Sequence, residues 1–167
     1  MTNLPARFSA LFLFLLCLAC SNEQPVKKEK ADITNTVPGK IVQTWNFARF
    51  EAGDGLRKTI EPMFKGKPNP GDSVEKSIRM AVETNNMMMN GAYYEFRSDN
   101  SCTSGIMGQT VNGTYSFAQN YTEIIMNQRQ GSAIEIDTFI IAVLNDSQLV
   151  MRMKGDMGAF HFRAAGK

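Results

Sequence analysis

Histidine and cysteine are scarce in this chain, which has one histidine and three cysteines among 167 residues. Their spacing fits no zinc site, and the sequence has no glycine-rich loop of the kind that cradles phosphate. His161 stands between Phe160 and Phe162, so strand alternation directs its side chain outward, away from any nucleophile that it would activate. These shortages predict a protein that is not an enzyme and that holds no metal and no cofactor.

Excess charge of one sign is also absent. The chain has 18 basic and 16 acidic residues, a net charge of +2, without the basic stripe that nucleic-acid binding requires. We therefore expect no nucleic-acid partner. Methionine, in contrast, is plentiful, with 11 residues that include the run Met87-Met88-Met89. Thioethers bind soft metals, but the favoured interpretation is adaptable filling of a core or of a pliable apolar binding surface.

The N-terminus carries an apolar block over residues 8–18, preceded by the single basic residue Arg7. This block is typical of a secretory signal and too short for a stable membrane span. Ala19 directly before Cys20 resembles the cleavage site of a bacterial lipoprotein, in which the cysteine becomes the lipid-bearing first residue. The resemblance implies a signal peptide over residues 1–19 and lipid attachment at Cys20. An ordinary cleaved signal with a chance cysteine is the alternative.

A lipid on Cys20 would hold the protein on a membrane of the bacterial cell envelope, on its periplasmic or surface side. Residues 20–37 are polar, with a basic run at 27–30, and are predicted to be a flexible tether. Residues 38–167 then form one folded domain. Cys102 has no partner left in this domain, so we expect no internal disulfide and a small buried thiol.

The folded domain has the pattern of short strands separated by turn residues. The first strand is predicted over 40–50, a short helix over 56–64, and a longer helix over 73–89 that starts with a capping box from Asp72 to Glu75. Gly91 is its expected stop. Seven further strands are predicted at 93–97, 101–105, 110–117, 121–127, 133–144, 148–154 and 159–164.

Eight antiparallel strands in sequence order can close on themselves and so remove exposed edges. The predicted fold is therefore mainly β, an antiparallel eight-stranded meander barrel with a helical insertion after the first strand. The interior of such a barrel is either filled by side chains or holds one small ligand. In the sixth strand, Glu135 and Asp137 are expected mainly on the solvent side.

Four segments have the strand-and-turn motifs of one known family. They are Val42-Gln43-Thr44-Trp45, Tyr94-Glu95-Phe96-Arg97-Ser98-Asp99-Asn100, Asn112-Gly113-Thr114-Tyr115-Ser116-Phe117 and Leu144-Asn145-Asp146-Ser147-Gln148-Leu149-Val150. Residues 40–165 thereby resemble a lipocalin-like domain of bacterial lipoproteins. This resemblance implies a lipocalin-like barrel and a small apolar or amphipathic ligand within it.

The wall of the ligand pocket is predicted from the aromatic and methionine residues that share the inward face. These candidates are Trp45, Tyr94, Phe96, Tyr115, Phe117, Met151 and Phe162. Two interpretations of these residues remain open: the wall of a ligand pocket, or a core without a ligand. The same residues would equally form a dry, filled core, and the protein would then be an envelope interaction or scaffold protein. Its partner, which the sequence does not identify, would be held by surface loops such as 105–112 or 51–72.

Overall fold

The computed structural model describes residues 37–130 and 133–166. The predicted signal peptide, Cys20 and nearly all of the predicted tether lie outside these residues. The strands are β1 (Thr44–Ala52), β2 (Tyr93–Phe96), β3 (Ser101–Ile106), β4 (Gln109–Ala118), β5 (Glu123–Gln130), β6 (Ala133–Leu144), β7 (Gln148–Met153) and β8 (Gly158–Ala164). The helices are α1 (Val37–Ile41), α2 (Asp54–Ile60) and α3 (Pro70–Met88), with 3₁₀ turns at Glu61–Phe64 and Lys154–Asp156.

The strands form a closed barrel in sequence order, each antiparallel to its neighbours, with β8 pairing back onto β1. The predicted fold class is therefore confirmed, including the helical insertion between the first and second strands. Apolar residues alternate inward along each strand and meet in one core, which contains Trp45, Phe96, Ile124, Ile141 and Leu149. Closure gives every strand a hydrogen-bonded neighbour on both sides.

The start of the first strand was predicted wrongly, because residues 37–41 form helix α1 instead of extended chain. Val37 and Ile41 are buried in the core, and the indole nitrogen of Trp45 donates a 2.9 Å hydrogen bond to the carbonyl oxygen of Ile41. Lys40 reaches Asp146 in the β6–β7 turn at 3.8 Å. Helix α1 therefore covers the end of the barrel at which β1 begins.

Helix α3 lies where it was predicted, but its start differs. Asn69 stands at the N-cap in the left-handed conformation (φ 48°) and Pro70 follows at the first helical position, where its missing N–H costs nothing. The predicted capping box is wrong, since Asp72 lies inside the first turn. The helix ends at Met88, and Gly91 adopts φ 76° just beyond it.

Helix α3 takes the place of a strand beside the second half of β1. Strand β2 pairs with β1 only over residues 44–46. Beyond that point the N–H of Phe47 donates to the carbonyl oxygen of Ala92 at 2.9 Å, and the N–H of Phe50 donates to Oδ1 of Asn86 on α3 at 2.7 Å. The helix thus supplies an acceptor to the N–H of Phe50, and Ala92 beyond the helix supplies one to the N–H of Phe47, so neither partly buried donor is left unpaired.

Candidate functional site

The seven side chains predicted to line a pocket come together inside the barrel. All are buried except Phe117, which is partly buried and packs against the others. The rings of Phe96 and Tyr115 lie 5.0 Å apart between centroids, and those of Tyr94 and Phe162 lie 5.4 Å apart. These are direct edge-to-face contacts. The residues therefore form a packed aromatic core in which each side chain fills the space beside the next.

Two polar atoms of this core have partners within the protein. The Trp45 indole bonds to Ile41, and the hydroxyl of Tyr115 donates to the carbonyl oxygen of Arg97 at 2.8 Å. Tyr94 is 6% exposed, and its hydroxyl is not among the buried side-chain atoms of the described residues that lack a hydrogen-bond partner.

Strand β6 presents its faces in the opposite sense from the prediction. Glu135 and Asp137 stand opposite Gln128 and Met126 of β5, which are both buried. Ile134 and Ile136 are 66% and 65% exposed on the outer face. The prediction that the two carboxylates are mainly on the solvent side is therefore wrong.

The physical reason lies further along the same strand. Phe139 packs against the core and Ile141 is fully buried. Pairing with β5 runs in unbroken register from residue 133 to residue 140. Because side chains alternate with a period of two, burial of Phe139 turns residues 135 and 137 inward as well. The same register leaves the side chains of Ile134 and Ile136 exposed on the outer face.

Five polar side chains on four strands form what we call the interior polar cluster: Tyr94, Ser104, Gln128, Glu135 and Asp137. Tyr94 stands opposite Ser104, and Gln128 stands opposite Glu135. The amide nitrogen of Gln128 donates to the hydroxyl of Ser104 at 2.8 Å, and both residues are buried. The two carboxylate residues are half-buried, so the cluster meets solvent on their side.

Gly113 of β4 makes the bond from Gln128 to Ser104 possible. It stands between Cys102 of β3 and Gln128 of β5 in the pairing register, so no side chain separates the outer strands there. An added Cβ would lie 2.2 Å from the carbonyl oxygen of Asn127. A larger residue at this position would push β4 away from β5.

Electrostatics distinguish this cluster from the rest of the interior. Burial raises the pKa of Asp137, and the like charge of Glu135 raises it further. Burial, followed by the negative charge of Asp137, raises the pKa of Tyr94. Neither carboxylate has a basic partner among the ion pairs of the described residues. The cluster is therefore an uncompensated negative region in a largely apolar interior.

His161 lies on the outer wall, as the alternation predicted, but it is largely covered. Its side chain is 13% exposed, and Nε2 lies 3.1 Å from a carboxylate oxygen of Glu51. Nδ1 is buried without a hydrogen-bond partner in the described residues. Burial lowers the pKa of His161, Arg49 adds to this effect, and Glu51 opposes it. Cys102 is a free buried thiol whose pKa is raised by burial.

The methionines and the possible metal-binding groups give weaker candidates for a functional site. Met151 and Met126 are buried in the core, whereas Met87 is 73% exposed on α3. Within 37–130 and 133–166, no group of three or more His, Cys, Asp or Glu residues is placed to hold a metal ion. None of the helices in the same residues is long and apolar enough to cross a membrane.

Sequence reasoning missed Ser104 and Gln128, although both follow a simple signal. Gln128 continues the inward series of Ile124 and Met126 at a period of two, and Ser104 follows Cys102 in the same way. A polar residue in an inward series is a candidate for a site. That signal could have been read from the chain.

Two solved structures are similar to this barrel, whereas family models and curated proteins give no match. No protein-family model matches the chain, and no curated protein matches it significantly. A crystal structure of a DUF4847 family protein from Bacteroides vulgatus is similar, with a TM-score of 0.45 and 14% identity over 77% of this chain and 96% of that one. A lipocalin-like protein from Bacteroides uniformis has a TM-score of 0.44 and 15% identity over 75% and 99%. The fold assignment rests on the strand topology itself.

Proposed function

We propose that this chain is a membrane-anchored, lipocalin-like lipoprotein that binds a small amphipathic molecule inside the barrel, at the interior polar cluster. The observation that carries the proposal is the inward pair Glu135 and Asp137, which has no basic partner among the described residues. Burying unpaired carboxylates costs stability. A carboxyl group in a cleft whose pKa is raised by burial, as that of Asp137 is, is a candidate for a functional site.

The aromatic core beneath the cluster supports an amphipathic ligand rather than a wholly polar one. Tyr94 belongs both to the cluster and to the aromatic core, where it stacks on Phe96 with 5.9 Å between centroids. Met126 and Met151 are flexible neighbours that can repack around a variable apolar group. The polar end of a ligand would then meet the cluster while its apolar end displaced these side chains. The proposal includes no catalytic step.

Native mass spectrometry of the protein purified gently from a bacterial envelope tests binding. We expect a reproducible adduct that is lost on denaturation and is recovered by solvent extraction. Replacing Gly113 with valine, which would disrupt the strand spacing at the cluster, should abolish the adduct, whereas Gly39→Ala in α1, where the added carbon meets nothing, should retain it. A folded protein that carries no adduct and takes up nothing from a lipid extract would contradict the proposal.

The membrane anchor is a separate part of the proposal and has its own test. Cys20→Ser should move the protein from the membrane fraction to the soluble fraction and should abolish incorporation of radiolabelled palmitate. Cys102→Ser, which removes the buried thiol of the folded domain instead, is the matched control and should leave both results unchanged. A Cys20→Ser protein that stays labelled in the membrane fraction would refute lipid attachment at Cys20.

A second candidate function is that of an envelope scaffold whose barrel is simply filled. The contacts among the aromatic residues favour it, as do the exposed Ile134 and Ile136 on the outer face of β6 and Met107, 64% exposed at the tip of the β3–β4 hairpin. A photo-crosslinking residue at position 134 would distinguish the two. One reproducible protein adduct in the envelope, with no small molecule in the barrel, would support the scaffold.

A further inference from the structure

We infer that Asn90 is a site of spontaneous modification, at which the side-chain amide of the folded protein is converted to an aspartyl or isoaspartyl group. The sequence contains two Asn-Gly dipeptides, Asn90-Gly91 and Asn112-Gly113. A glycine has no side chain to hinder attack by its own backbone nitrogen on the asparagine before it. The fold places the two dipeptides in opposite surroundings, and this contrast selects Asn90.

The reaction needs only water. The backbone nitrogen of Gly91 attacks the side-chain carbonyl carbon of Asn90, and the new C–N bond closes a succinimide ring. The bond from that carbon to the amide nitrogen of Asn90 breaks, and the nitrogen leaves as ammonia with the proton from the Gly91 N–H. Water then adds to one of the imide carbonyls and opens the ring. Position 90 thereby becomes an aspartate, or an isoaspartate in which the main chain runs through the side-chain carbon.

Asn90 and Gly91 lie in an open turn between α3 and β2, and both are exposed. The N–H of Asn90 donates to the carbonyl oxygen of Met87 at 3.3 Å. The N–H of Ala92 donates to that of Met89 at 2.9 Å, whereas the N–H of Gly91 has no backbone acceptor among the described residues. A carbon atom added to Gly91 meets nothing within 4 Å. The attacking nitrogen is therefore free, and the ring has room to close.

Asn112 is exposed as well, so the difference at the second dipeptide lies in the backbone. Gly113 lies within β4 and is paired with β3 on one side and with β5 on the other. The side-chain oxygen of Asn112 accepts a hydrogen bond from the hydroxyl of Thr103 at 3.0 Å. A carbon added to Gly113 would lie 2.2 Å from the carbonyl oxygen of Asn127. The sheet thus keeps this backbone extended and leaves no space for the ring.

Modification of Asn90 changes the joint that attaches helix α3 to the barrel. Ala92 is 2% exposed, and its carbonyl oxygen accepts the N–H of Phe47 on β1. An isoaspartate lengthens the main chain directly before this joint. Either product adds a negative charge just beyond the C-terminus of α3, whose last turn has no basic residue, and a negative charge at that end of a helix is unfavourable. The modified protein should therefore hold α3 less firmly and be less stable.

Incubation of the purified protein in mildly alkaline buffer tests the assignment. Trypsin places the two asparagines on separate peptides, residues 80–97 and 98–129, and fragmentation of each peptide locates the exchange of an amide for an acid. We expect at least tenfold more conversion at Asn90 than at Asn112 in the folded protein, and similar conversion at both in protein kept in urea. An isoaspartyl methyltransferase should label the converted peptide 80–97.

Asn90→Gln is the matched control, because it keeps the amide but would have to close a larger ring, which forms far more slowly. This variant should stay unlabelled at position 90 and keep its melting temperature during the incubation, whereas the melting temperature of the unchanged protein should fall. The comparison is independent of whether the barrel binds a ligand.

The other outcomes would contradict one part of the inference or the whole of it. Equal conversion of Asn90 and Asn112 in the folded protein, or conversion of Asn90 only in urea, would overturn Asn90 as a site selected by the fold. Conversion of Asn90 without a fall in melting temperature relative to Asn90→Gln would overturn the weakened attachment of α3 and leave the modification site standing.

Discussion

Single residues in this barrel have pKa values that depart from their ordinary values because of where the fold places them. Asp137 and His161 stand on opposite faces of the wall, and burial favours the neutral form of each. For Asp137 the cause is an inward position shared with Glu135. For His161 it is coverage on the outside, next to Arg49. Both shifts are expected to make stability depend on pH.

For His161 the expected dependence has a definite sign. Its folded-state pKa lies below the ordinary value of 6.5, so the unfolded chain binds the extra proton first. Its contribution to the free energy of unfolding is fully present above pH 6.5 and is lost as pH falls toward the folded pKa. His161→Gln should therefore flatten the decline in stability as pH falls below about 6.5, measured by urea unfolding. Parallel profiles for the two proteins would contradict this.

At the scale of elements, helix α3 lies beside the part of β1 that does not pair with β2, and it accepts a backbone hydrogen bond there. The bond from Phe50 to Asn86 joins residues 36 apart in sequence. Asn85, its neighbour, instead donates to the carbonyl oxygen of Ala81 one turn earlier in the helix. The two adjacent asparagines thus make different hydrogen bonds: Asn86 joins the helix to the sheet, and Asn85 bonds within the helix.

This difference predicts different costs for the same substitution. Asn86→Ala leaves a partly buried backbone N–H of Phe50 without its acceptor, which should lower the free energy of unfolding by about 1–3 kcal/mol. Asn85→Ala removes a local bond and improves helix propensity, so its effect should stay within about 0.5 kcal/mol. Urea unfolding of both variants checks the prediction. Equal losses would show that the bond to β1 has no special weight.

At the scale of the whole molecule, stability depends on the aromatic core inside the barrel, which joins β8, β1 and β2. Phe162 of β8 contacts Tyr94 of β2 and Phe47 of β1, with centroid distances of 5.4 and 5.9 Å. Phe162→Ala should cost about 3–5 kcal/mol, from lost burial and the cavity left behind. Phe64→Ala in the 3₁₀ turn, where the ring is only partly buried, is the matched control and should cost far less. Similar losses in urea unfolding would contradict a core centred on Phe162.

Local chemistry in the sequence was enough to predict the eight strands and their order. Alternating residues such as Tyr94 and Phe96, bounded by turn residues such as Asn100, act over a few positions and need no distant partner. The long helix was predictable for the same reason. The exact start of this helix was not predictable, because the sequence from Asp72 to Glu75 resembles a capping box, whereas the N-cap is Asn69 in the left-handed conformation.

Tertiary structure alone decided the rest. Helix α1 forms because Val37 and Ile41 become buried against the end of the barrel. No local sequence pattern predicts this contact. The inward turn of Glu135 and Asp137 follows from burial of Phe139 and Ile141 further along β6, where isoleucines at 134 and 136 argued for the opposite face. The sequence by itself therefore determined the elements and the barrel. Long-range packing decided which face of β6 is buried, and with it the candidate site, because one register must satisfy the whole strand at once.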